Sequence, residues 1–307
     1  MRERGVREGV WVAMVTPWDT ASGAPRIEVI RSLIKRFSSA EVAGLFILGT
    51  TGEGTLLSPA ERMRFAECVL SESEGVLPVI VHTGHDRPRV VVELSRHAKR
   101  LGAVAVAVAP PTRYRLDQKE LLAHYLEVAR AVEDLPLFLY DIPGTTGNPL
   151  GSELLAELRR HTPNVVGAKV SRTDWEAWEG YLGLSDKVTL FVGVDEMALP
   201  LLLLGGQGLV CSGANILPEL YVALFRAARE GDAAKGAALQ RLVTELCHAC
   251  HRGSPLAYIK TAVSLLGWDV GPTLPPLREL SPTERSELEA RLTLIRKKAE
   301  EFSAQRR

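Results

Sequence analysis

The sequence lacks an excess of charge of either sign, a dense set of cysteines and a long apolar run. Lys plus Arg and Asp plus Glu each number 37 among the 307 residues, so no net field favours nucleic acid or an anionic membrane surface. Four cysteines are too few for a disulfide scaffold. The start, MRERGVREG, has no apolar signal-peptide core, and the apolar run 197–204 is too short to cross a bilayer. We therefore expect a cytoplasmic globular protein with no nucleic-acid or membrane partner.

Two nucleotide-binding signals are also missing. No G-x-G-x-x-G follows the first apolar run, and the glycine-rich segment 49–54 lacks the Gly-Lys-Ser/Thr of a phosphate-binding P-loop. A C-x-x-C-H match at 247–251 resembles a haem attachment site. It lies within a predicted helix, however, where cysteines often act as small buried hydrophobes. We expect no metal, haem or other cofactor.

Eight short apolar runs alternate with segments of helical periodicity. Capping-box patterns at 58–61 and 117–120 mark two helix starts. This alternation predicts a parallel sheet covered by helices, and eight such units suit a closed (β/α)8 TIM barrel of about 250 residues. A doubly wound open sheet is the alternative, but its first strand would be followed by the missing glycine motif. The predicted strands are 10–15, 44–48, 78–81, 104–109, 137–140, 165–169, 188–192 and 208–211.

Beyond residue 218 the pattern becomes entirely helical. A third capping pattern occurs at 281–284, and the end of the chain, 297–307, is charged and expected to fray. We therefore predict an α/β protein with a catalytic barrel over residues 1–230 and a C-terminal helical extension over residues 231–307. The predicted helices of this part are 220–229, 233–251, 255–266 and 283–302.

Residues that follow the strands are the candidates for chemistry, because the site of such a barrel lies at the C-terminal strand ends. Lys169 ends the sixth strand. A buried ammonium is costly unless it is paired or neutral, and a neutral lysine attacks carbonyl groups; the alternative is a lysine that reaches solvent. The segment 49–54, with Thr50 and Thr51, can hold a small carboxylate or be a plain glycine turn. Tyr140, at the fifth strand end, can relay protons or be a half-buried core residue.

Further polar residues fall on the same predicted rim. The seventh strand leads to two acids, which form either part of a site or a solvated loop, and the eighth leads to hydroxyl and amide donors. These polar residues do not form a set of metal ligands. The candidate substrate-binding residues on this part of the rim are Ser171, Gly193, Asp195, Glu196 and Ser212.

Five motifs together resemble the dihydrodipicolinate synthase/N-acetylneuraminate lyase family of Schiff-base aldolases. They are G-T-T-G-E at 49–53, Y-D-I-P-G-T-T-G at 140–147, the lysine strand at 165–169, G-V-D-E at 193–196 and S-G-A-N at 212–215. Their order and spacing follow the family from Val10 through the helix that contains Lys260. Five motifs at matched spacing are far more specific than any one of them.

The resemblance implies a role for each core residue. Lys169 forms an imine with the 2-keto carbon of pyruvate or another 2-keto acid. Thr50 and Thr51 bind its carboxylate, and Tyr140 moves protons with Thr51 as its relay partner. The backbone carbonyl of Val210 lines the pocket. The resemblance also implies a homotetramer, built as a dimer of dimers, and chemistry that needs no metal or diffusible cofactor.

The departures from the family pattern concern the second substrate. Thr145 stands where dihydrodipicolinate synthases have an arginine that binds the aldehyde's carboxylate. The tyrosine that completes a proton relay in a neighbouring subunit aligns with Arg113; a one-residue loop shift would place Tyr114 there. We expect the loop 110–115 to cross to a neighbour's site, with folding onto its own barrel as the alternative.

The remaining rim residues favour a hydroxylated substrate. Asp195, Glu196, Ser171 and Ser212 match positions that sugar-acid lyases use for hydroxyl groups. We therefore predict a lyase that cleaves or forms a C–C bond of a hydroxylated 2-keto(-3-deoxy) acid, or dehydrates it, through the lysine imine. The alternatives are 4-hydroxy-tetrahydrodipicolinate synthase, which condenses pyruvate with aspartate semialdehyde, and a non-catalytic 2-keto-acid-binding member of the family.

Overall fold

A computed structural model describes residues 6–250 and 252–304. Eight parallel strands close into a barrel in which each strand pairs with the next and the last pairs with the first, which confirms the (β/α)8 prediction and excludes the open sheet. The strands are β1 Gly9–Ala13, β2 Gly44–Ile47, β3 Val79–His82, β4 Ala105–Val108, β5 Leu137–Asp141, β6 Val165–Val170, β7 Thr189–Val192 and β8 Gly208–Cys211.

The strands divide their side chains between two cores. Alternate residues face the surrounding helices, and the others fill the barrel interior, because successive side chains of a strand point to opposite faces. The interior holds large rings as well as small residues, which close the barrel into a packed core rather than a pore. The largest interior side chains are Trp11, Phe46, Phe138, Tyr140 and Phe191.

Helices follow the strands and cover the barrel. The capping boxes predicted for α2 and α4 are present: Ser58 Oγ accepts from the Glu61 amide at 3.3 Å, and Asp117 caps α4 in the same way. These helices are α1 Ile27–Ser39, α2 Pro59–Ser73, α3 Pro88–Arg100, α4 Gln118–Ala131, α5 Gly151–His161, α6 Trp175–Leu182, α7 Ala198–Leu203 and α8 Pro218–Glu230.

Three more helices follow α8. They are α9 Ala233–Cys250, α10 Pro255–Leu265 and α11 Pro282–Ala304. α9 packs against α8, α11 and the turn after β7, so this part of the chain reaches the rim of the barrel. The division of the chain at residue 230 stays a prediction. Residues 305–307 of the predicted charged tail lie outside the described residues.

The sequence prediction missed one small element. Trp18–Asp19 and Ala24–Pro25 form a two-stranded antiparallel ribbon beyond β1. Two residues a strand are too few for an alternation pattern to be read from the sequence.

Candidate active site

A bulge in β6 turns the lysine into the barrel. Leu137 pairs with Val165, but the next residue, Phe138, pairs with Gly167. Val165 faces the helices, and without this one-residue shift Lys169 would face them as well, because a slip of one residue exchanges the two faces of a strand. Beyond the bulge Lys169 lies beside Tyr140 and faces inward.

Lys169 is buried among aromatic rings. The residue is only 4% exposed. Its Nζ lies 4.4 Å from the ring centroid of Phe46 and 4.0 Å from the ring centroid of Tyr140. The faces of aromatic rings attract a cation, but they form no hydrogen bond with its nitrogen. Within the described part of the chain, the Lys169 amine has no hydrogen-bond or ion-pair partner. The amine is therefore held in place but left open to a carbonyl carbon.

Gly193, after β7, makes room for this side chain. A Cβ at Gly193 would lie 3.1 Å from Lys169 Cε and 2.1 Å from Ser171 Oγ. Only glycine lets the β7 turn approach the lysine so closely. The structure thus brings Lys169, Ser171 and Gly193 together, as the sequence predicted for this rim.

A buried ion pair between Glu53 and Lys260 fixes the loop 49–54. Glu53 Oε2 accepts from Lys260 Nζ at 2.8 Å, and both side chains are buried. The other Glu53 oxygen accepts from the Leu274 amide at 2.6 Å. Burial lowers the pKa of Lys260, and the charge of Glu53 opposes that shift. The acid of the G-T-T-G-E motif therefore anchors the loop to α10 and does not face a ligand.

The Thr50 hydroxyl lies beside that of Tyr140; the role of Thr51 as the relay partner, named in the sequence analysis, stays a prediction. Thr50 Oγ1 lies 3.4 Å from the Tyr140 hydroxyl, a long hydrogen bond. Leu48 and Glu53 both adopt left-handed backbone angles, with φ of 61° and 53°. Such angles are rare for residues with a Cβ, and they bound the segment that carries Thr50 and Thr51.

His82, at the end of β3, is a site residue that the sequence analysis missed. Its ring meets Tyr140 edge to face, with centroids 5.6 Å apart. Nδ1 lies 3.0 Å from the carbonyl oxygen of Leu48, and Nε2 accepts from the Ala109 amide at 3.4 Å. Burial first, and then the nearby Arg62 charge, lower the pKa of His82 to about 3. A neutral imidazole therefore lies beside Tyr140.

The two acids after β7 lie in different surroundings. Asp195 is buried and accepts a hydrogen bond from the Tyr221 hydroxyl of α8, and burial followed by the Asp195 charge raises the pKa of that tyrosine. Glu196 is exposed and accepts from the Cys247 thiol at 3.0 Å. The geometry thus favours Glu196 over Asp195 for contact with a substrate hydroxyl, since the Asp195 carboxylate faces the helix layer.

The other predicted substrate-binding residues lie near the same rim. Val210 is an interior residue of β8, and Ser212, which follows it, is half-buried. Thr145 is exposed within the helical turn Pro143–Thr146. No charge is present on this side chain to hold a second carboxylate.

The loop 110–115 is fastened at its base and exposed at its tip. The buried Asn148 amide donates to the carbonyl oxygens of Pro111 and Tyr114 at 2.8 and 2.7 Å. The Tyr114 side chain is 71% exposed. Arg113 is exposed as well, with its Nε 3.9 Å from an Asp86 oxygen. Within a single chain, neither Arg113 nor Tyr114 contacts Tyr140.

The cysteine motif lies within α9 as predicted. Cys247 and Cys250 are buried, and burial raises the pKa of the Cys250 thiol to about 12; His251 lies outside the described residues. Among the residues that the structure covers, no group of three or more His, Cys, Asp and Glu is arranged to hold a metal ion. None of the described helices is long and apolar enough to cross a membrane.

Comparison with known proteins finds one matching family model and relatives that cover most of the chain. The model of the dihydrodipicolinate synthetase family matches residues 7–295. An uncharacterised DapA-like lyase of Halobacterium salinarum is 41% identical over 254 residues, which cover 82% of this chain and 83% of that protein. The 4-hydroxy-tetrahydrodipicolinate synthase of Methanopyrus kandleri is 34% identical over 273 residues, 89% and 91% of the two chains.

A solved structure agrees with the sequence relatives. The structure is that of YagE from Escherichia coli K12, a prophage protein of the dihydrodipicolinic acid synthase family, in complex with pyruvate. It superimposes with a TM-score of 0.88 at 28% identity and covers 94% of this chain and 98% of its own.

Proposed function

The chain belongs to the dihydrodipicolinate synthetase family of lyases, and on this premise we propose that Lys169 forms an imine with pyruvate or another 2-keto acid. One observation carries the proposal: the Lys169 amine is buried between two rings, without a hydrogen-bond partner in the described chain. The Thr50–Tyr140 hydroxyl pair lies beside it. An amine so placed is a nucleophile, and the hydroxyl pair is a proton donor and acceptor.

The steps of the reaction follow from this arrangement. The Lys169 nitrogen attacks the 2-keto carbon, a C=N bond forms, and the carbonyl oxygen leaves as water. Tyr140 protonates that oxygen, and Thr50 exchanges the proton with it. The protonated imine at C2 draws electrons from the C3–C4 bond, which breaks as the C4 hydroxyl loses its proton and becomes an aldehyde carbonyl. The enamine that remains is protonated at C3, and water releases pyruvate from Lys169; condensation runs through the same steps in reverse. The N–H groups of the loop 49–54 and the hydroxyl of Thr51 bind the substrate's carboxylate.

We assign a hydroxylated 2-keto acid as the substrate class. The exposed Glu196 supplies a hydrogen-bond acceptor for hydroxyl groups, whereas Thr145 supplies no charge for a second carboxylate. A charge-assisted hydrogen bond contributes about 1.5–3 kcal/mol, so the missing arginine weakens aspartate semialdehyde binding appreciably. Dehydration of a 2-keto-3-deoxy acid through the same imine is a close variant.

Two other functions compete with this assignment. The names of relatives such as the Methanopyrus kandleri protein favour 4-hydroxy-tetrahydrodipicolinate synthase. A non-catalytic 2-keto-acid-binding protein is favoured only by the altered loop 110–115 and is opposed by the clustered Lys169, Tyr140 and Thr50. We further propose a cytoplasmic homotetramer, a dimer of dimers, in which Arg113 or Tyr114 approaches Tyr140 of a neighbour.

A turnover panel distinguishes the three functions. The enzyme is incubated with several 2-keto-3-deoxy acids, with pyruvate release measured, and separately with pyruvate plus aspartate semialdehyde. We expect release from at least one hydroxylated acid and weak condensation. Condensation at ordinary enzyme rates would instead establish the synthase. No turnover in either arm, together with saturable pyruvate binding, would identify the binding protein.

A further inference from the structure

A single buried imidazole joins three segments of the active-site rim. The His82 ring contacts Leu48 at the end of β2, Ala109 at the end of β4 and Tyr140 at the end of β5. These positions lie 34, 27 and 58 residues from His82 along the chain. The ring is 4% exposed, so these contacts, and not solvent, fix its orientation.

The partners of the ring determine its protonation. The Leu48 carbonyl oxygen only accepts, so His82 Nδ1 carries the hydrogen; the Ala109 amide only donates, so Nε2 carries the lone pair. A second proton on Nε2 would face that amide hydrogen. The charged groups near the ring are Arg62 and Lys169, both of which oppose protonation, and burial opposes it most strongly. The imidazole is thereby a neutral Nδ1–H tautomer.

Two neighbouring residues, Arg62 and Gly84, accommodate the His82 ring and its backbone. Arg62, buried on α2, donates to the carbonyl oxygens of His82 and Gly84 at 2.7 and 2.9 Å. A Cβ on Gly84 would lie 2.7 Å from His82 Nε2, so glycine leaves the space that the ring occupies. The Arg62 guanidinium thus fixes the backbone at His82 and Gly84, and Gly84 leaves room for the ring itself.

The contact with Leu48 has a consequence for Thr50. Leu48 has a φ of 61°, unfavourable for a residue with a Cβ, and its carbonyl oxygen is the one that His82 holds. The loop turns at Leu48 and two residues later presents Thr50 Oγ1 to the Tyr140 hydroxyl. His82 therefore secures both members of this pair, one through the backbone and the other through the ring.

We propose that His82 is a positioning residue which, as a neutral Nδ1–H imidazole, aligns the Thr50–Tyr140 proton relay with the Lys169 amine. The inference rests on the proposed function. His82 makes no hydrogen bond to Lys169; its ring contacts Leu48, Ala109 and Tyr140. The relay acts both when the carbonyl oxygen leaves as water and when the enamine exchanges a proton, so the loss of His82 should slow both steps and leave the equilibrium amount of imine unchanged.

The first experiment tests the tautomer independently of any activity. The full-length protein is labelled with ¹⁵N in the histidine rings, and the His82 signals are assigned by their absence from the spectrum of His82→Asn. We expect a protonated Nδ1 and an unprotonated Nε2 that stay unchanged from about pH 5 to about pH 9. An Nε2–H tautomer, or titration near the usual histidine pKa, would overturn the proposal.

The second experiment separates binding from proton transfer. Pyruvate in D₂O exchanges its methyl hydrogens through the enamine, and the exchange is followed by proton NMR; borohydride trapping of the imine is measured by mass in parallel. For His82→Phe, which keeps a ring beside Tyr140 but loses both hydrogen bonds, we expect exchange to fall about 100-fold. The extent of trapping after equilibration with saturating pyruvate should stay within about twofold of the wild type, because Lys169 is untouched and the relay changes the rate of imine formation but not its equilibrium.

Two controls decide the ambiguous cases. His124→Phe makes the same change at a buried histidine whose ring nitrogens have no partner in the described chain, and it should leave exchange unchanged. If His82→Phe does not fold, His82→Asn, whose amide reaches the Leu48 carbonyl, should exchange faster than His82→Gln, whose oxygen reaches only the Ala109 amide. Wild-type exchange in His82→Phe, or equal rates in the amide variants, would overturn the inference. Absence of trapping in the wild type would instead overturn the proposed function.

Discussion

Two lysines are buried in this protein, and their surroundings differ. Lys260 is 2% exposed, and its ammonium donates to Glu53 at 2.8 Å and to the carbonyl oxygens of Thr16 and Pro272 at 3.2 and 2.7 Å. Lys169 is 4% exposed, and its Nζ lies over the faces of Phe46 and Tyr140 without a hydrogen-bond partner among the described residues. Burial alone therefore does not mark a reactive amine; the unoccupied nitrogen of Lys169 does.

The two lysines nevertheless serve one loop. Lys260 binds Glu53 near the end of the segment 49–54, and Lys169 packs on the ring of Tyr140, whose hydroxyl meets that of Thr50 from the same segment. The ion pair between Lys260 and Glu53 holds the end of this loop in place. Functional residues need such support from neighbouring groups to keep their geometry. Lys169→Met and Gly193→Ala should therefore affect the reactive lysine and spare Lys260, whereas Lys260→Met should do the reverse.

The largest effect is expected for Lys169→Met. Turnover and pyruvate exchange should fall by about four orders of magnitude or more, because no other group supplies the imine nitrogen. The free energy of unfolding, measured in urea, should stay the same or rise, since an apolar chain replaces an amine without a hydrogen bond. Residual exchange close to that of the wild type would show that another group is the nucleophile.

Lys260→Met should act on stability. Removing one partner of a buried pair leaves Glu53 uncompensated and costs about 3–5 kcal/mol of unfolding free energy. The exposed Lys187 is the matched control, for which the same substitution should change the value by less than about 0.5 kcal/mol. Adding Glu53→Gln to Lys260→Met should recover part of the loss. A single variant as stable as the wild type would contradict the structural role.

Gly193→Ala should disturb Lys169 and Ser171 together. The added methyl group would lie 3.1 Å from Lys169 Cε and 2.1 Å from Ser171 Oγ, and we expect imine trapping to slow about 10- to 100-fold. Gly183→Ala, where the nearest atom would be 3.5 Å away, should trap at the wild-type rate. Equal trapping rates in the two variants would mean that the lysine tolerates displacement.

The smallest effect on stability is expected for the loop 110–115. Arg113→Ala should cost less than about 1 kcal/mol of unfolding free energy, because its ion pair with Asp86 is exposed. If a neighbouring subunit uses the loop, Arg113→Ala or Tyr114→Ala should weaken assembly and turnover together, as measured by light scattering and pyruvate release. Arg100→Ala, on the exposed end of α3, is the control. A fully active wild-type monomer would exclude a shared site.

The fold could be predicted because its signals are local. Each strand is a short apolar run, and the starts of α2 and α4 are marked by capping residues three positions apart. The observed strand ends differ from the predicted ones by only one or two residues. Lys169 and Tyr140 could be located because they follow such strands.

The finer geometry of the site depends on contacts that a single sequence does not display. The inward direction of Lys169 comes from a bulge between β5 and β6. The contact of Thr50 with Tyr140 joins two segments 90 residues apart, and the loop that carries Thr50 begins with a left-handed angle at Leu48. His82 follows an apolar run, as a core histidine would, and all its contacts with the rim come from distant parts of the chain. The burial of Asp195 depends on Tyr221 of α8 in the same way.

The most direct test of the imine proposal uses both buried lysines at once. The wild-type protein is treated with pyruvate and borohydride, digested, and mapped by mass. We expect one adduct, on the peptide that contains Lys169, and none on the peptide that contains Lys260, whose nitrogen is held by three oxygen atoms. An adduct on Lys260 or on surface lysines alone, with Lys169 unmodified, would contradict the proposed function.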